Sequence, residues 1–145
     1  PSIDLIRYVF EHTKTRKVMV FHRPFLNIVA QEFPETDVLL GKPFPVQAAR
    51  IFYNKLRDIS RFNPAMNLQW LIDSHERLLQ YQQLAHDLDQ KLRINIEIDV
   101  GLHRGGIPQP EGLAPLLETI STDQNHLDFA GFMGYDPHVV KSGND

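Results

Sequence analysis

The chain contains no cysteine, which excludes disulfide bonds and catalysis by a thiol. It has no apolar run long enough to span a bilayer and no secretory signal pattern at its start. Neither sign of charge dominates, because 15 basic and 18 acidic residues leave a net charge of only −3. The basic residues are scattered and form no cluster with aromatic residues of the kind that binds nucleic acid. We therefore expect a cytoplasmic protein that binds neither nucleic acid nor membranes.

What is present is the composition of an ordinary globular domain. Of the 145 residues, 42% are hydrophobic and 23% are charged, which is enough for one domain with its own core. No internal repeat, low-complexity segment or linker divides the chain. We therefore treat residues 1–145 as belonging to one domain.

Two kinds of apolar spacing alternate along the chain. Helical spacing predicts helices over residues 3–13, 25–33, 46–59, 76–92 and 112–120. Short apolar runs predict strands over residues 17–22, 37–40, 67–72, 94–100 and 128–134. This alternation is typical of an α/β protein with a parallel sheet. No Gly-x-Gly-x-x-Gly follows the first strand, so a Rossmann unit is unsupported, and part of an eight-stranded (β/α) barrel fits better.

The fourth predicted strand carries carboxylates between β-branched residues. Side chains alternate between the two faces of a strand, so its isoleucines and valine face the helices. The other set, Asn95, Glu97 and Asp99, then points into the barrel lumen. Buried carboxylates are unfavourable unless they are paired or hydrogen-bonded. We therefore expect a cationic partner in the lumen, and Arg104 is a candidate.

Polar side chains follow the carboxyl ends of all five predicted strands, where α/β barrels carry their active sites. These residues are His22, Lys42, Asp73, His103, Arg104, Tyr135, Asp136 and His138. No site role is predicted for the histidines and tyrosines of the helices and remaining loops, which are His12, His75, His86, His126, Tyr8, Tyr53 and Tyr81. We interpret those three tyrosines as helix-packing residues.

Several of the strand-end residues also have a purely structural explanation. His22 could bond a backbone group where its strand ends, and Lys42 could be a solvated loop charge. Asp73 could cap the helix that follows it, since Ser74 and Glu76 come next. The strand acids could serve only to orient loop amides.

Two late segments resemble a known family of enzymes. IEIDVGLHRGGI (96–107) and FAGFMGYDPHVV (129–140) are similar to pyridoxal-phosphate enzymes built on the alanine-racemase-type barrel. The resemblance is strongest to the branch that contains D-threonine aldolases and D-serine dehydratases. VMVFHRPFL, DVLLGKPFPVQAARIFY and WLIDSHERLLQY also resemble that branch, so the likeness runs over nearly the whole chain.

The resemblance implies roles for particular residues. The family's Asp-x-Gly-x-x-Arg stretch, matched here by Asp99, Gly101 and Arg104, puts an arginine beside the phenolic oxygen of the cofactor. The family's Gly-x-x-Gly-Tyr stretch, matched at Tyr135, puts an aromatic residue near the pyridine ring. His103 fits the family's His-Arg pair. The implied cofactor-binding residues are therefore Arg104, Tyr135 and Asp99, and the implied catalytic residues are His103 and Tyr135.

The cofactor lysine of this branch has no match among the six lysines of the chain. The family carries it at the end of the first barrel strand, in Lys-x-x-Pro-Ser, and this chain opens at Pro1 and Ser2. We therefore expect residues 1–145 to be a partial barrel domain that begins just after the lysine. The phosphate-binding loops, a β-rich domain and any divalent metal would then lie beyond Asp145.

Three functions are open at this point. The first is a homodimeric pyridoxal-phosphate enzyme that cleaves, dehydrates or racemises D-amino acids, of which this chain alone would be inactive and marginally stable. The second is a non-catalytic barrel that carries the same cofactor. The third is a metal-dependent barrel hydrolase that uses His22, Asp73, His103 and His138.

Overall fold

The computed structural model describes residues 2–56 and 61–140. The helices are α1 (Ile3–Thr13), α2 (Arg23–Glu32), α3 (Val46–Leu56), α4 (Pro64–Asn67), α5 (His75–Leu88) and α6 (Leu113–Thr122), and a 3-10 turn covers Pro110–Gly112. The strands are β1 (Lys17–Val20), β2 (Asp37–Leu40), β3 (Leu68–Ile72), β4 (Leu92–Ile98) and β5 (Leu127–Gly134). Within the described ranges, every helix is too short or too polar to be a membrane span.

The five strands form one parallel sheet in the order of the sequence, from β1 at one edge to β5 at the other. Helices separate successive strands, so each neighbouring pair of strands is a βαβ unit. This sequential order is that of an α/β barrel, whereas in a Rossmann sheet the strand order reverses at a switch point. The predicted class, a parallel α/β barrel type that is incomplete in this chain, is confirmed.

Most predicted boundaries agree with the structure to within two residues, and the largest difference has a local cause. The helix predicted over 76–92 ends at Leu88, because Asp89 adopts a left-handed backbone with φ 48° and bonds back to α5. As a result β4 begins at Leu92, two residues before the predicted start. Helix α4 is not predicted, although Asn63 caps it and Pro64 opens it. Residues 57–59 of the predicted third helix lie outside the described residues.

Aromatic side chains fill the core between the sheet and its helices. Trp70 of β3 is fully buried, and its indole N–H donates to the hydroxyl of Tyr53 at 2.9 Å. The hydroxyl of Tyr81 donates to the carbonyl of Phe44 at 3.1 Å. The predicted packing role is therefore confirmed for Tyr53 and Tyr81. It is wrong for Tyr8, which is 57% exposed and stacks on a histidine of its own helix.

The opposite face of the sheet carries a chain of polar side chains. Arg93 donates to Asp37 at 2.9 Å, and the amide of Gln69 donates to the same carboxylate at 3.1 Å. The carbonyl of Gln69 in turn accepts from Asn95 at 3.0 Å. Charged and amide groups thus pair with one another across β2, β3 and β4, and these pairs meet much of the hydrogen-bonding need of a partly buried polar face. This face corresponds to the lumen predicted from the alternation in β4.

Candidate functional site

A buried charge pair lies at the carboxyl end of β4. Glu97 is 3% exposed, and its carboxylate accepts from the guanidinium of Arg104 at 2.6 Å. A carboxylate this deep in the protein needs such a partner, because desolvation of an unpaired charge is strongly unfavourable. The expectation that Arg104 pairs with a carboxylate of the strand is confirmed for Glu97.

Arg104 is held from a second side by an aromatic ring. Its guanidinium carbon lies 4.1 Å from the ring centroid of Tyr135, which follows β5. That distance is within the range of a cation–π contact. Tyr135 is 47% exposed, so much of its surface remains accessible. The ion pair and the ring contact together fix the orientation of the guanidinium, and they join the ends of β4 and β5.

Asp99 organises the loop that follows β4 rather than pairing with Arg104. Its carboxylate accepts from the backbone N–H groups of Gly101 and His103, each at 3.0 Å, and lies 2.7 Å from Nδ1 of His103. The hydrogen bond from the His103 side chain, followed by those two backbone bonds, lowers the pKa of Asp99. His103 adopts φ 56°, and its side chain is 82% exposed. These contacts are those of an acid that orients the amides of its own loop, which is the structural role considered for Asp99 from the sequence.

The same loop is closed by backbone hydrogen bonds and by a glycine. Ile107 donates to the carbonyl of Glu97 at 2.8 Å, and Asp99 donates to the carbonyl of Ile107 at 3.1 Å. At Gly106 the backbone has φ 93°, and a Cβ added there would lie 2.8 Å from the Glu97 carbonyl oxygen. Only glycine fits this combination of positive φ and close approach. The segment that carries His103 and Arg104 is thus a compact loop anchored at both ends to β4.

Other predicted strand-end residues do not join this group. His22 directly precedes α2 and makes no side-chain cap bond, and the centroid of its ring lies 3.8 Å from that of Phe25 with the two rings tilted by 43°. The expectation that Asp73 caps the next helix is wrong, because Ser74 is the cap, and its hydroxyl accepts from the backbone N–H of Arg77 at 3.2 Å. The Asp73 carboxylate instead accepts from the Arg77 side chain at 2.7 Å.

The last three predicted residues lie on loops at this end of the sheet. Lys42 is exposed after β2, and Asp136 is exposed after β5 with its carbonyl accepting from Val139 at 3.1 Å. The ring of His138 lies close to Gly101, where an added Cβ would be 3.4 Å from its Nε2. The loops after β4 and β5 therefore approach each other, as the contact between Arg104 and Tyr135 also indicates.

The four ligands expected for a metal-dependent hydrolase do not form a metal-binding group. Those residues are His22, Asp73, His103 and His138. Within the described part of the chain, the one set of three ligand-type side chains with atoms inside 4.8 Å of one another is His86, Asp123 and His126. It includes none of the four. Sequence reasoning missed this set, and only the short Asp-x-x-His spacing of residues 123–126 hints at it.

The comparisons with known proteins agree with the fold. A family model described as alanine racemase, N-terminal domain, matches residues 45–144. The alanine racemase of Clostridium difficile 630 in complex with cycloserine superposes with a TM-score of 0.70 at 17% identity. The alanine racemase from Oenococcus oeni superposes with a TM-score of 0.73 at 15% identity. No curated protein matches the chain.

The superpositions cover nearly all of this chain but only about a third of each racemase chain. The superpositions include 97% and 92% of this chain, but 37% and 35% of the two racemase chains. At such identities the structural likeness establishes the fold alone. The family model spans more than half of the chain and includes every residue of the candidate site. The chain therefore belongs to the alanine racemase N-terminal domain family.

Proposed function

We propose that this chain is part of a pyridoxal-phosphate enzyme that acts on D-amino acids, as a racemase or as a lyase of the D-threonine aldolase type. The observation that carries the proposal is the arginine fixed between the Glu97 carboxylate and the Tyr135 ring. The Asp-x-Gly-x-x-Arg match and the family membership support it. The proposal includes a cofactor lysine, phosphate-binding loops and a second domain supplied from outside residues 1–145.

The side chains present fit the ring of pyridoxal phosphate. Arg104 has five N–H donors, and its hydrogen bond to Glu97 leaves others for an anionic oxygen. Tyr135 offers a flat and half-exposed surface that can pack against a heteroaromatic ring. In the lumen, the buried Oδ1 of Asn95 accepts no hydrogen bond from the described residues. Buried acceptors are normally hydrogen-bonded, and a bound molecule or the rest of the barrel can supply the donor.

Each residue of the site has a distinct task in this proposal. When bound, pyridoxal phosphate supplies an electron sink for breaking a bond at the substrate α-carbon. Arg104 would hold a fixed positive charge at the phenolic oxygen, and Glu97 would keep the guanidinium in one orientation. Tyr135 would pack against the pyridine ring and exclude water from that side.

His103 is the candidate for moving a proton. Asp99 engages its Nδ1 at 2.7 Å, which favours the tautomer that is protonated at Nδ1. The other ring nitrogen, Nε2, is then a base on a largely exposed side chain. A base in this position can take a proton from a substrate or return one to it. Asp99 would act through His103 as its orienting partner.

The first test uses the protein as purified from its source. We expect an intact mass above 16.8 kDa and a yellow absorbance band that borohydride abolishes, because the cofactor would be bound covalently through a lysine. A protein without a cofactor band would contradict the proposal. A cofactor band without turnover of any D-amino acid would instead favour the non-catalytic barrel.

The second test distinguishes the reaction and the role of Arg104 in the whole protein. Cleavage of D-threonine to glycine and acetaldehyde would identify a lyase, and interconversion of D- and L-alanine would identify a racemase. Arg104→Gln should lower the turnover by about 10²- to 10³-fold, since it removes a fixed charge from the reacting system. Arg50→Gln is the matched control, because Arg50 pairs with Asp87 on the outer helices. Equal activity of the two variants would contradict the assignment.

A further inference from the structure

A second cluster of imidazole and carboxylate groups lies at the other end of the sheet. Oδ1 of Asp123 is 2.8 Å from Nδ1 of His126, and Oδ2 is 2.7 Å from Nε2 of His86. The two imidazole rings stack with centroids 3.9 Å apart. His126 directly precedes β5, and His86 is in the last turn of α5. The cluster therefore lies at the amino ends of β4 and β5, whereas the candidate site lies at their carboxyl ends.

The backbone and a neighbouring amide fix these side chains in place. Asp123 directly follows α6, and its carbonyl accepts from the N–H groups of His126 at 3.0 Å and Leu127 at 2.8 Å. The carbonyl of His126 accepts from Leu92 at 2.8 Å, which ties it to the start of β4. Gln82 donates to Oδ2 of Asp123 at 2.8 Å. Outer hydrogen bonds of this kind orient metal ligands in known sites.

We propose that His86, Asp123 and His126 bind a divalent first-row transition metal ion, with Zn²⁺ as the best fit. One ligand atom from each residue lies within 4.8 Å of the other two. Two imidazole nitrogens and one carboxylate oxygen are a known three-ligand set for zinc, with water as the fourth ligand. Imidazole favours zinc, copper, nickel or iron over magnesium and calcium, which prefer oxygen.

Metal binding requires the ligand atoms to separate and the two stacked imidazole rings to turn toward one ion. Ligands of tetrahedral zinc at about 2.0–2.2 Å from the ion lie about 3.3 Å from one another. The Asp123 oxygens are now 2.7 and 2.8 Å from the two imidazole nitrogens, at hydrogen-bond distance. Opening each contact by roughly half an ångström would admit the ion in place of the hydrogen bonds. His86 is half-exposed, so its side chain can make this movement and the ion can enter from solvent.

The site would act as a clip between structural elements. It joins the end of α5 to the connection between α6 and β5, and a ligand that binds only the folded state stabilises that state. The proposal does not depend on the proposed function, because it uses none of the residues of the candidate site.

Zinc binding by the whole purified protein tests the proposal after the protein has been stripped of metal with a chelator. We expect the wild type to bind one more zinc ion per chain than His86→Gln, measured by equilibrium dialysis and metal analysis. Asp123→Asn should weaken binding at the same site by at least about tenfold. Zinc should also raise the thermal unfolding midpoint of the wild type, and magnesium at the same concentration should not. Metal bound elsewhere in the protein would be unchanged by these variants.

The control variant is His12→Gln, because His12 is an exposed helical histidine that contacts a backbone carbonyl of its own helix. It should bind as much zinc as the wild type. Equal zinc content in the wild type and in a folded His86→Gln variant would overturn the proposal. Cobalt(II) provides a check that needs no variant, since a tetrahedral site gives it intense visible absorbance. A wild type that takes up no cobalt with such a spectrum would also overturn it.

Discussion

Two imidazole–carboxylate clusters stand at opposite ends of the sheet, and their surroundings differ. At the carboxyl end, Asp99 and His103 belong to one loop, and the imidazole is 82% exposed. At the amino end, Asp123 joins His86 and His126, which come from separate elements. The first cluster shapes a loop and leaves its imidazole open to a ligand, whereas the second connects a helix to a strand. This division matches α/β barrels, in which the carboxyl ends carry function and the amino ends carry stability.

The largest expected effect comes from breaking the buried charge pair beside the first cluster. Arg104→Met leaves the carboxylate of Glu97 buried without a cation, so the free energy of unfolding should fall by about 3 kcal/mol. His86→Gln at the amino end, in the absence of metal, removes a half-exposed partner and should lower it by less than about 1 kcal/mol. Urea unfolding measures both. Equal losses would show that the two ends do not differ in this way.

A double variant separates loss of pairing from loss of packing. Glu97→Leu combined with Arg104→Met replaces the ion pair with apolar side chains. It should recover most of the stability that Arg104→Met loses, because no unpaired charge then remains buried. If the double variant is as unstable as the single one, packing rather than charge accounts for the loss.

A smaller effect is expected from the glycine that closes the carboxyl-end loop. Gly106→Ala puts a Cβ 2.8 Å from the Glu97 carbonyl oxygen at a φ of 93°, so unfolding free energy should fall by about 2 kcal/mol. Gly105→Ala is the matched control, since its Cβ would make only an ordinary 3.8 Å contact with the Glu97 side chain. Urea unfolding of both variants tests this. The same stability in both would indicate that the loop is less constrained than its backbone geometry implies.

The smallest expected effect is the pH dependence from Asp99. The His103 side chain and two loop amides lower the pKa of Asp99 from its ordinary value. Because the pKa is lower in the folded state, Asp99 stabilises the protein above the ordinary value, and this contribution is lost as the pH falls through the folded pKa. The wild type should therefore lose stability more steeply than Asp99→Asn below about pH 4. Urea unfolding at several acid pH values measures this, and the same dependence of the unfolding free energy on pH in both proteins would contradict it.

Local patterns in the sequence account for most of the elements that the structure contains. The alternating isoleucines of β4 and the helical spacing of α1 depend only on near neighbours in the chain, so both could be predicted. Helix α4 was not predicted because a segment of four residues is too short to show a helical period. The end of α5 was not predicted because it depends on the left-handed backbone at Asp89, a residue that also fits inside a helix.

The sequence by itself determined the alternation of helices and strands, the polar residues at the strand ends and the family resemblance. Only the tertiary structure decided which groups meet. It paired Arg104 with Glu97 while Asp99 turned to its own loop, and it brought His86 to Asp123 across 37 residues of chain. The physical reason is that periodicity comes from the geometry of adjacent residues, whereas side-chain partners depend on how separate elements pack.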